Sequence, residues 1–403
     1  MQVICDLHIH SRFSGGSSKN ITLQRISNNC KIKGINIVGV GDALHPLWLK
    51  ELKSNLKEHS EGLYILPEIP EVKFILQTEV ELIWKTEYQI KKIHLIVLIP
   101  NFAILHQISD YLSRFGNLKE DGRPKIHLSA EQFILDLKGI EFFIEIIPAH
   151  VFTPFFGVLG SIPNFKSLKH AFGNGIHYIN AVESGLSADP RMIRYVSELN
   201  NISVISNSDA HSTSFHRIGR EATVFELKKL NYEDLMKAIH GNKITKTYEF
   251  KPSEGKYYWD GHRAERHLNK KEFSCHPKEN IRVCPICGKK ITKGVLSRVY
   301  ELKDQKPFLN KNVRYVVPLL HLISKVCGGT EYNKENLAIY QKIVRSNNGE
   351  FNIWNGNCNF KNIPYKIMCA IDKIKTGKYY FVPGYDSVYG KLELENYREL
   401  KSF

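Results

Sequence analysis

Seven short apolar runs in this chain each close on a residue able to bind a metal ion. Asp6-Leu7-His8-Ile9-His10 is the first. Asp42 with His45, Glu79, His94, His150, Glu183 and Asp209-Ala210-His211 follow. One such ending carries little weight, but a series restricts the fold. Strand ends meet on one face only when the strands lie side by side, as in a barrel whose rim carries the site. His8 and His10 are two residues apart on a strand, so both project to the same side.

The first 250 residues alternate strand-like and helix-like stretches. Strands are predicted over Val3–Ile9, Ile35–Gly41, Phe74–Ile83, Ile93–Ile99, Phe142–Pro148, Tyr178–Val182, Ile202–Ser206 and Ala222–Phe225. Several are continuous apolar runs, as expected of strands buried on both faces. Helices are predicted over Thr22–Lys33, Phe102–Phe115, Ala130–Leu137, Pro190–Leu199 and Tyr232–His240, with Asp189-Pro190 as a helix start. Repeated β-then-α order predicts an α/β fold with parallel strands, a distorted TIM-like (β/α)7 barrel. The pattern breaks near the turn-rich Lys251–Gly255. A Cys/His-rich stretch follows, then helical patterns. The division expected is 1–248 barrel, 249–300 zinc-binding module and 301–403 basic helical domain.

Charge separates the same regions. Residues 1–250 hold 28 Lys+Arg and 26 Asp+Glu, net +2, whereas 251–403 hold 28 and 15, net +13. The second part is basic enough to neutralise phosphates. Met1–Asp6 enters a strand directly, with neither a basic start nor a small-residue cleavage site, and no apolar run is long enough for a membrane span. Eight cysteines in so large a chain without a secretion signal favour metal binding over disulfides. Cys284-Pro285-Ile286-Cys287-Gly288 has the spacing of a zinc knuckle. A zinc deaminase needs Pro before its first Cys and a His-x-Glu nearby. Here Pro285 follows the Cys, and the one His-x-Glu, at His59–Glu61, lies far upstream. Clustered imidazoles and carboxylates suit two or three divalent ions, which lower the pKa of water and clamp phosphoryl oxygens. Phosphate-ester hydrolysis is the chemistry that follows.

Asp-Leu-His-Ile-His at 6–10, Gly-Val-Gly-Asp at 39–42, Pro-Ala-His at 148–150 and Asn-Ser-Asp-Ala-His at 207–211 resemble the PHP (polymerase and histidinol phosphatase) phosphoesterases. Gly-Asn-Leu-Lys-Glu-Asp-Gly-Arg-Pro at 116–124, Pro-Ala-His-Val-Phe-Thr-Pro-Phe-Phe at 148–156, Glu-Ser-Gly-Leu-Ser-Ala-Asp-Pro at 183–190 and Glu-Gly-Lys-Tyr-Tyr-Trp-Asp-Gly-His-Arg at 254–263 are similar to one branch of it, the endonuclease Q family. The likeness runs in order to about residue 345. It implies a PHP domain, a zinc-binding domain and a helical domain. It implies a metal-dependent DNA-repair endonuclease that cuts 5′ to deaminated bases (uracil, hypoxanthine, xanthine) or abasic sites, leaving 3′-hydroxyl and 5′-phosphate ends. The setting it implies is cytoplasmic and nucleoid-associated, with room for a repair-machinery partner and no membrane.

Carried over by motif, the ligands of a di- or trinuclear Zn, Mn or Mg site are His8, His10, Asp42, His45, Glu79, His94, His150, Asp209 and His211. Glu183 is either a ligand or an orienting group. Asp209 is the candidate for deprotonating or orienting the attacking water. Arg12, Arg220 or Lys19 would neutralise phosphate oxygens, with Arg12 preferred for following His-x-His. The loop Val151–Ser161 offers Phe152, Phe155, Phe156 and Ser161 to a flipped base. One structural zinc is expected on His262, Cys275, Cys284 and Cys287, with His267 and His276 as competing ligands. Two other readings remain open: another PHP phosphoesterase (a histidinol-phosphatase-like enzyme or an exonuclease), and an inactive nucleic-acid-binding protein.

Overall fold

The structure is a computed structural model, and it describes residues 1–394 apart from Tyr88, 309–311, Asn357, Phe360 and Asn362. Along the chain come β1 (Gln2–Asp6), β2 (Ile37–Gly39), β3 (Lys57–Ser60), β4 (Leu63–Leu66), β5 (Ile69–Lys85), β6 (Ile90–Ile99), β7 (Lys125–Ile126) and β8 (Glu145–Pro148). Next, β9 (Ala181–Glu183) and β10 (Ser203–Ile205) pair with each other, while β11 (Ala222–Glu226) and β12 (Ile244–Glu249) return to the main sheet. β13 (Asp260–His262) and β14 (Phe273–Cys275) form a small ribbon, and β15 (Val313–Tyr315) adds to β12 as an edge of the main sheet. β16 (Tyr380–Val382) and β17 (Lys391–Glu393) make a final antiparallel pair. No helix among the described residues is long and apolar enough to cross a membrane.

The fold is mixed α/β, but its main sheet is not the parallel one expected. β1, β2 and β5 run parallel. β5–β6, β6–β8 and β1–β11 are antiparallel. The reason is local: only a short polar turn separates β5 from β6, and the backbone N–H of Thr86 donates to Gln89 across it. A parallel return needs a dozen or more residues of crossover. The predicted Phe74–Ile83 strand is also longer, because β5 spans Ile69–Lys85. The Pro190 helix begins as expected, with Asp189 accepting from the N–H of Met192 at 2.7 Å, but it stops at Ile193.

Inward side chains from eight strands enclose one apolar cluster: Val3 and Cys5, Ile37, Ile75, Ile96 and Leu98, Ile147, Ala181, Ile205 and Phe225. Leu235, Met236 and Ile239 of the helix Tyr232–His240 extend it at one end. At the other end Leu7 and Ala149 lead into the site. A larger cluster fills the space between the sheet's outer face and the helices.

The region after residue 300 packs continuously on this core. Lys33, the last residue of the helix Leu23–Lys33, is 1% exposed and pairs with Glu350 at 3.1 Å. Its ammonium also donates to the carbonyl of Phe215 at 2.7 Å. Glu350 accepts from the N–H of Leu319 and the hydroxyl of Tyr340, both at 2.8 Å. Removing one partner of such a pair strands the other charge in the interior. Lys33→Met is therefore expected to cost about 3–5 kcal/mol of stability, read by urea denaturation; a midpoint equal to wild type would refute the coupling.

Candidate metal centre

β1 delivers His8 and His10 just past its last residue, and the Ile9–Ala210 bridge draws them against the loop after β10. Asp42, His150 and Asp209 follow β2, β8 and β10. All three have left-handed backbones, with φ of 51°, 31° and 47°. Such a conformation costs a residue with a Cβ roughly 1–2 kcal/mol. Three at one rim mark a site where the surroundings hold strain for geometry. Gly185 answers one of them: a Cβ there would lie 2.5 Å from that of His150.

Glu79 lies within β5, diagonal to His94 on β6, since Glu81 pairs with His94 in register. Its carboxylate is wholly buried and is shared. Oε1 lies 2.9 Å from His94 Nδ1 and 3.2 Å from His150 Nε2. Oε2 lies 3.3 Å from His10 Nε2 and 3.6 Å from His8 Nε2, and accepts from Arg123 at 3.1 Å. Two sets of atoms that could hold an ion result: His8, His10, Glu79 and Asp209, and Glu79, His94 and His150. The donor set fits divalent cations. His8 Nε2, which faces Glu79 and Asp209, is buried without a hydrogen-bond partner, as expected of an atom positioned for something other than a protein donor. Burial pushes the Glu79 carboxyl up, but His94, Arg123 and His8 together hold it well below the usual range. Burial likewise opposes charge on Asp209, and His10, His8 and His211 overcome it.

Other expected ligands stand behind the centre. Glu183 accepts from His8 Nδ1 at 3.0 Å, from the N–H of His150 at 2.9 Å and from the Asn207 amide at 2.9 Å. It therefore orients His8 so that Nε2 faces Glu79. Asp42 does the same for His10, accepting from Nδ1 at 3.0 Å and from the N–H of Ser11 at 2.6 Å. His211 lies at the rim, its ring 4.2 Å from that of His10. His45 stays out of both sets; it starts the helix Pro46–Asn55 and stacks on Phe13 at 4.2 Å.

Above the centre is a cavity of about 210 Å³, lined by His94, Arg123, His150, Phe155, Phe156, Asp209, His211, Lys256 and Tyr257 among others. Phe156 stacks on His94 at 4.2 Å and 7°. Phe155 meets Tyr257 edge-on at 5.7 Å. Phe152 does not reach the cavity; it is fully buried in the core. Ser161 turns away too, donating to the carbonyl of Lys293 at 3.0 Å. Arg12 is corrected in the same way. It pairs with Glu51, donates to the Ile21 carbonyl at 3.1 Å and lies over Trp48. Lys19 caps the Arg12 carbonyl from the surface. The arginine at the centre is Arg123, which sequence reasoning passed over. Its signal was the Asp-Gly-Arg-Pro run: a Cβ on Gly122 would collide with Asp42 and Ser14, so glycine lets this loop close over the site.

A solved endonuclease Q in complex with a 27-mer duplex bearing an abasic lesion at the active site superposes with a TM-score of 0.86, at 30% identity, over 98% of this chain and 97% of that one. This chain belongs to the endonuclease Q family. A second member, the lesion-specific endonuclease PfuEndoQ from Pyrococcus furiosus, gives a TM-score of 0.83 at 30% identity over 100% and 99% of the two chains. YqxK of Bacillus subtilis, an uncharacterised protein, is 29% identical over 428 residues, covering 97% of this chain and 99% of its own length. An uncharacterised protein of Methanocaldococcus jannaschii is 34% identical over 233 residues; the match covers 54% of this chain but only 29% of that longer protein. No family model matches.

A second constellation in this family member lies in the Cys/His-rich stretch. His262, His267, Cys284 and Cys287 bring their ligand atoms together, with His267 Nε2 3.1 Å from Cys284 Sγ and His262 Nδ1 3.5 Å from Cys287 Sγ. Burial raises the Cys284 thiol, but the N–H groups of Cys287 and Ile286 and the His267 ring bring it below its ordinary value, which favours a thiolate. Cys275 is not in this set. It packs in the small core with Ile291, and burial pushes its thiol up to about 11. His267, one of the two competing ligands expected from the sequence, joins the set in its place. His276 is occupied elsewhere, accepting from the N–H of Lys278. Zinc measured by elemental analysis is expected to fall by about one ion per chain in His267→Ala and to hold in Cys275→Ser. The reverse pattern would return Cys275 to the site.

Proposed function

We propose that this chain is a metal-dependent DNA-repair endonuclease that hydrolyses the phosphodiester 5′ to deaminated bases or abasic sites. The observation that carries the reading is the shared Glu79, which joins two ligand sets beneath an aromatic-walled cavity. Divalent cations on those sets would supply Lewis-acid stabilisation of the phosphoryl oxygens and a lowered pKa for water. Asp209 is the cluster carboxylate with solvent access, its side chain 29% exposed against 0% for Glu79. Its second oxygen orients the attacking water. Arg123, reaching over from the rim, neutralises charge on a non-bridging phosphoryl oxygen in the transition state. Phe155, Phe156 and Tyr257 give flat faces for an unstacked sugar or base, which a duplex must expel before it reaches the rim. The net charge of +13 after residue 250 supplies sequence-independent grip on the backbone. The solved relative named for its abasic-lesion complex supports the same substrate class.

A small-molecule phosphatase needs neither the basic half nor the Cys/His set. The test uses labelled duplexes containing deoxyuridine, deoxyinosine, an abasic site or normal bases only, with Mn²⁺, Mg²⁺ or EDTA. Nicking of lesion duplexes alone, abolished by EDTA, is expected. Release of phosphate from histidinol phosphate without nicking would overturn the reading. Within the same assay Asp209→Asn is expected to lose about 10²-fold or more of the nicking rate with binding to lesion DNA retained. Arg123→Met is expected to lose about 10²-fold, whereas Arg12→Met should retain the rate. Equal losses from the two arginine variants would remove Arg123 from its assigned role.

A further inference from the structure

The loop between β16 and β17 is wedged between the Cys/His-rich region and the candidate centre. Its backbone turns through two consecutive left-handed residues, Asp386 at φ 37° and Ser387 at φ 77°. Asp386 is fully buried and accepts from the N–H of Arg263 at 2.9 Å, from Arg266 at 2.6 and 2.9 Å and from the Thr292 hydroxyl at 2.8 Å. Ser387 reaches the cavity wall, its N–H donating to the Lys256 carbonyl and its hydroxyl lying 2.9 Å from that of Tyr257. Tyr389 faces the other way. Its hydroxyl accepts from Arg220 at 3.0 Å and from Arg217 at 3.1 Å.

Arg220 is 5% exposed and spends its remaining donors on the catalytic turn. Nε donates to the carbonyl of Ser208 at 2.8 Å and Nη2 approaches that of Asp209 at 3.4 Å. Asp209 is one of the three left-handed rim residues. Such a backbone persists only where its neighbours over-determine it. From the outside, the turn is held by this guanidinium, and the guanidinium by the phenol. The Tyr389 group sits in a cationic niche: burial raises its pKa, but Arg220, Lys256 and Arg217 bring it down to about 8.

We propose that Tyr389 is a positioning residue for the metal centre: its hydroxyl fixes Arg220, which fixes the left-handed turn that carries Asp209. The C-terminal hairpin is then a working part of the site, which ties the zinc-type module, the cavity wall and the Asp209 turn through one strained loop. The proposal rests on the nuclease reading for its effect on turnover, but its effect on metal binding does not.

The test compares wild type with Tyr389→Phe, which keeps the ring and removes the acceptor. Two quantities are read on the full-length protein below both melting transitions. Mn²⁺ affinity, titrated by electron paramagnetic resonance, is expected to weaken about 10-fold in Tyr389→Phe. The kcat for nicking lesion DNA is expected to fall about 10-fold to 100-fold, with KM for DNA unchanged. Arg217→Met, which removes the donor that does not touch the Asp209 turn, should leave both within about 2-fold of wild type. Wild-type Mn²⁺ affinity in Tyr389→Phe overturns the proposal whether or not the wild-type protein nicks DNA. Losses as large in Arg217→Met overturn it too, since general packing of the hairpin would then explain both. Weakened Mn²⁺ binding in Tyr389→Phe alone supports it, even if no lesion DNA is cut and the nuclease reading falls.

Discussion

Everything at the rim depends on one buried carboxylate. Glu79 has no exposed side-chain surface, and a lone charge there would cost several kcal/mol. It is tolerable because His8, His10, His94, His150 and Arg123 crowd its two oxygens. Those partners come from β1, β6, the end of β8 and the loop before β7. The carboxylate therefore fixes how the strands sit around it as much as the strands fix the carboxylate. The layer behind repeats this logic: Glu183 and Asp42 each take one imidazole nitrogen and turn the other inward.

The antiparallel β5–β6 pair follows from the same need. A parallel repeat would supply one ligand per strand end. Pairing β5 directly with β6 puts Glu79 and His94 diagonally opposite within a continuous ladder, deeper than the loops reach. A mid-strand site is more rigid than a loop site, which suits a bridging group. The loops then add what must meet solvent: Asp209, Arg123 and the aromatic wall.

Much of this was legible in the chain. The apolar runs located β1, β2, β6, β8, β10 and β11 near their observed positions, because strands buried on both faces leave a continuous signature. His8, His10, Glu79, His94, His150 and Asp209 read in the sequence as ligand types closing apolar runs, and in the structure they meet, although Glu79 and His94 lie within their strands rather than at the ends. Pairing direction was misread because one sequence does not say which runs are neighbours. In the sequence Arg12 stands ahead of Arg220 and Lys19 for following His-x-His, and nothing singles out Arg123; adjacency says nothing of where a long side chain finds a carboxylate, and Arg12 finds Glu51. The sequence favours Cys275 and leaves His267 as a competitor, because linear spacing does not say which of two nearby donors turns toward Cys284 and Cys287. Tyr389 gave no signal at all, since its partners are more than 160 residues distant.

The central claim, that Glu79 serves two ligand sets at once, is tested most directly by counting ions. Elemental analysis of wild type and Glu79→Gln, each reconstituted with Mn²⁺ and compared with the zinc proposed for the Cys/His set as internal reference, gives the number lost. The account predicts about two fewer Mn²⁺ per chain in the variant, with the zinc unchanged. Loss of one Mn²⁺ or none would mean that the two sets are independent, and the shared carboxylate would no longer explain the site.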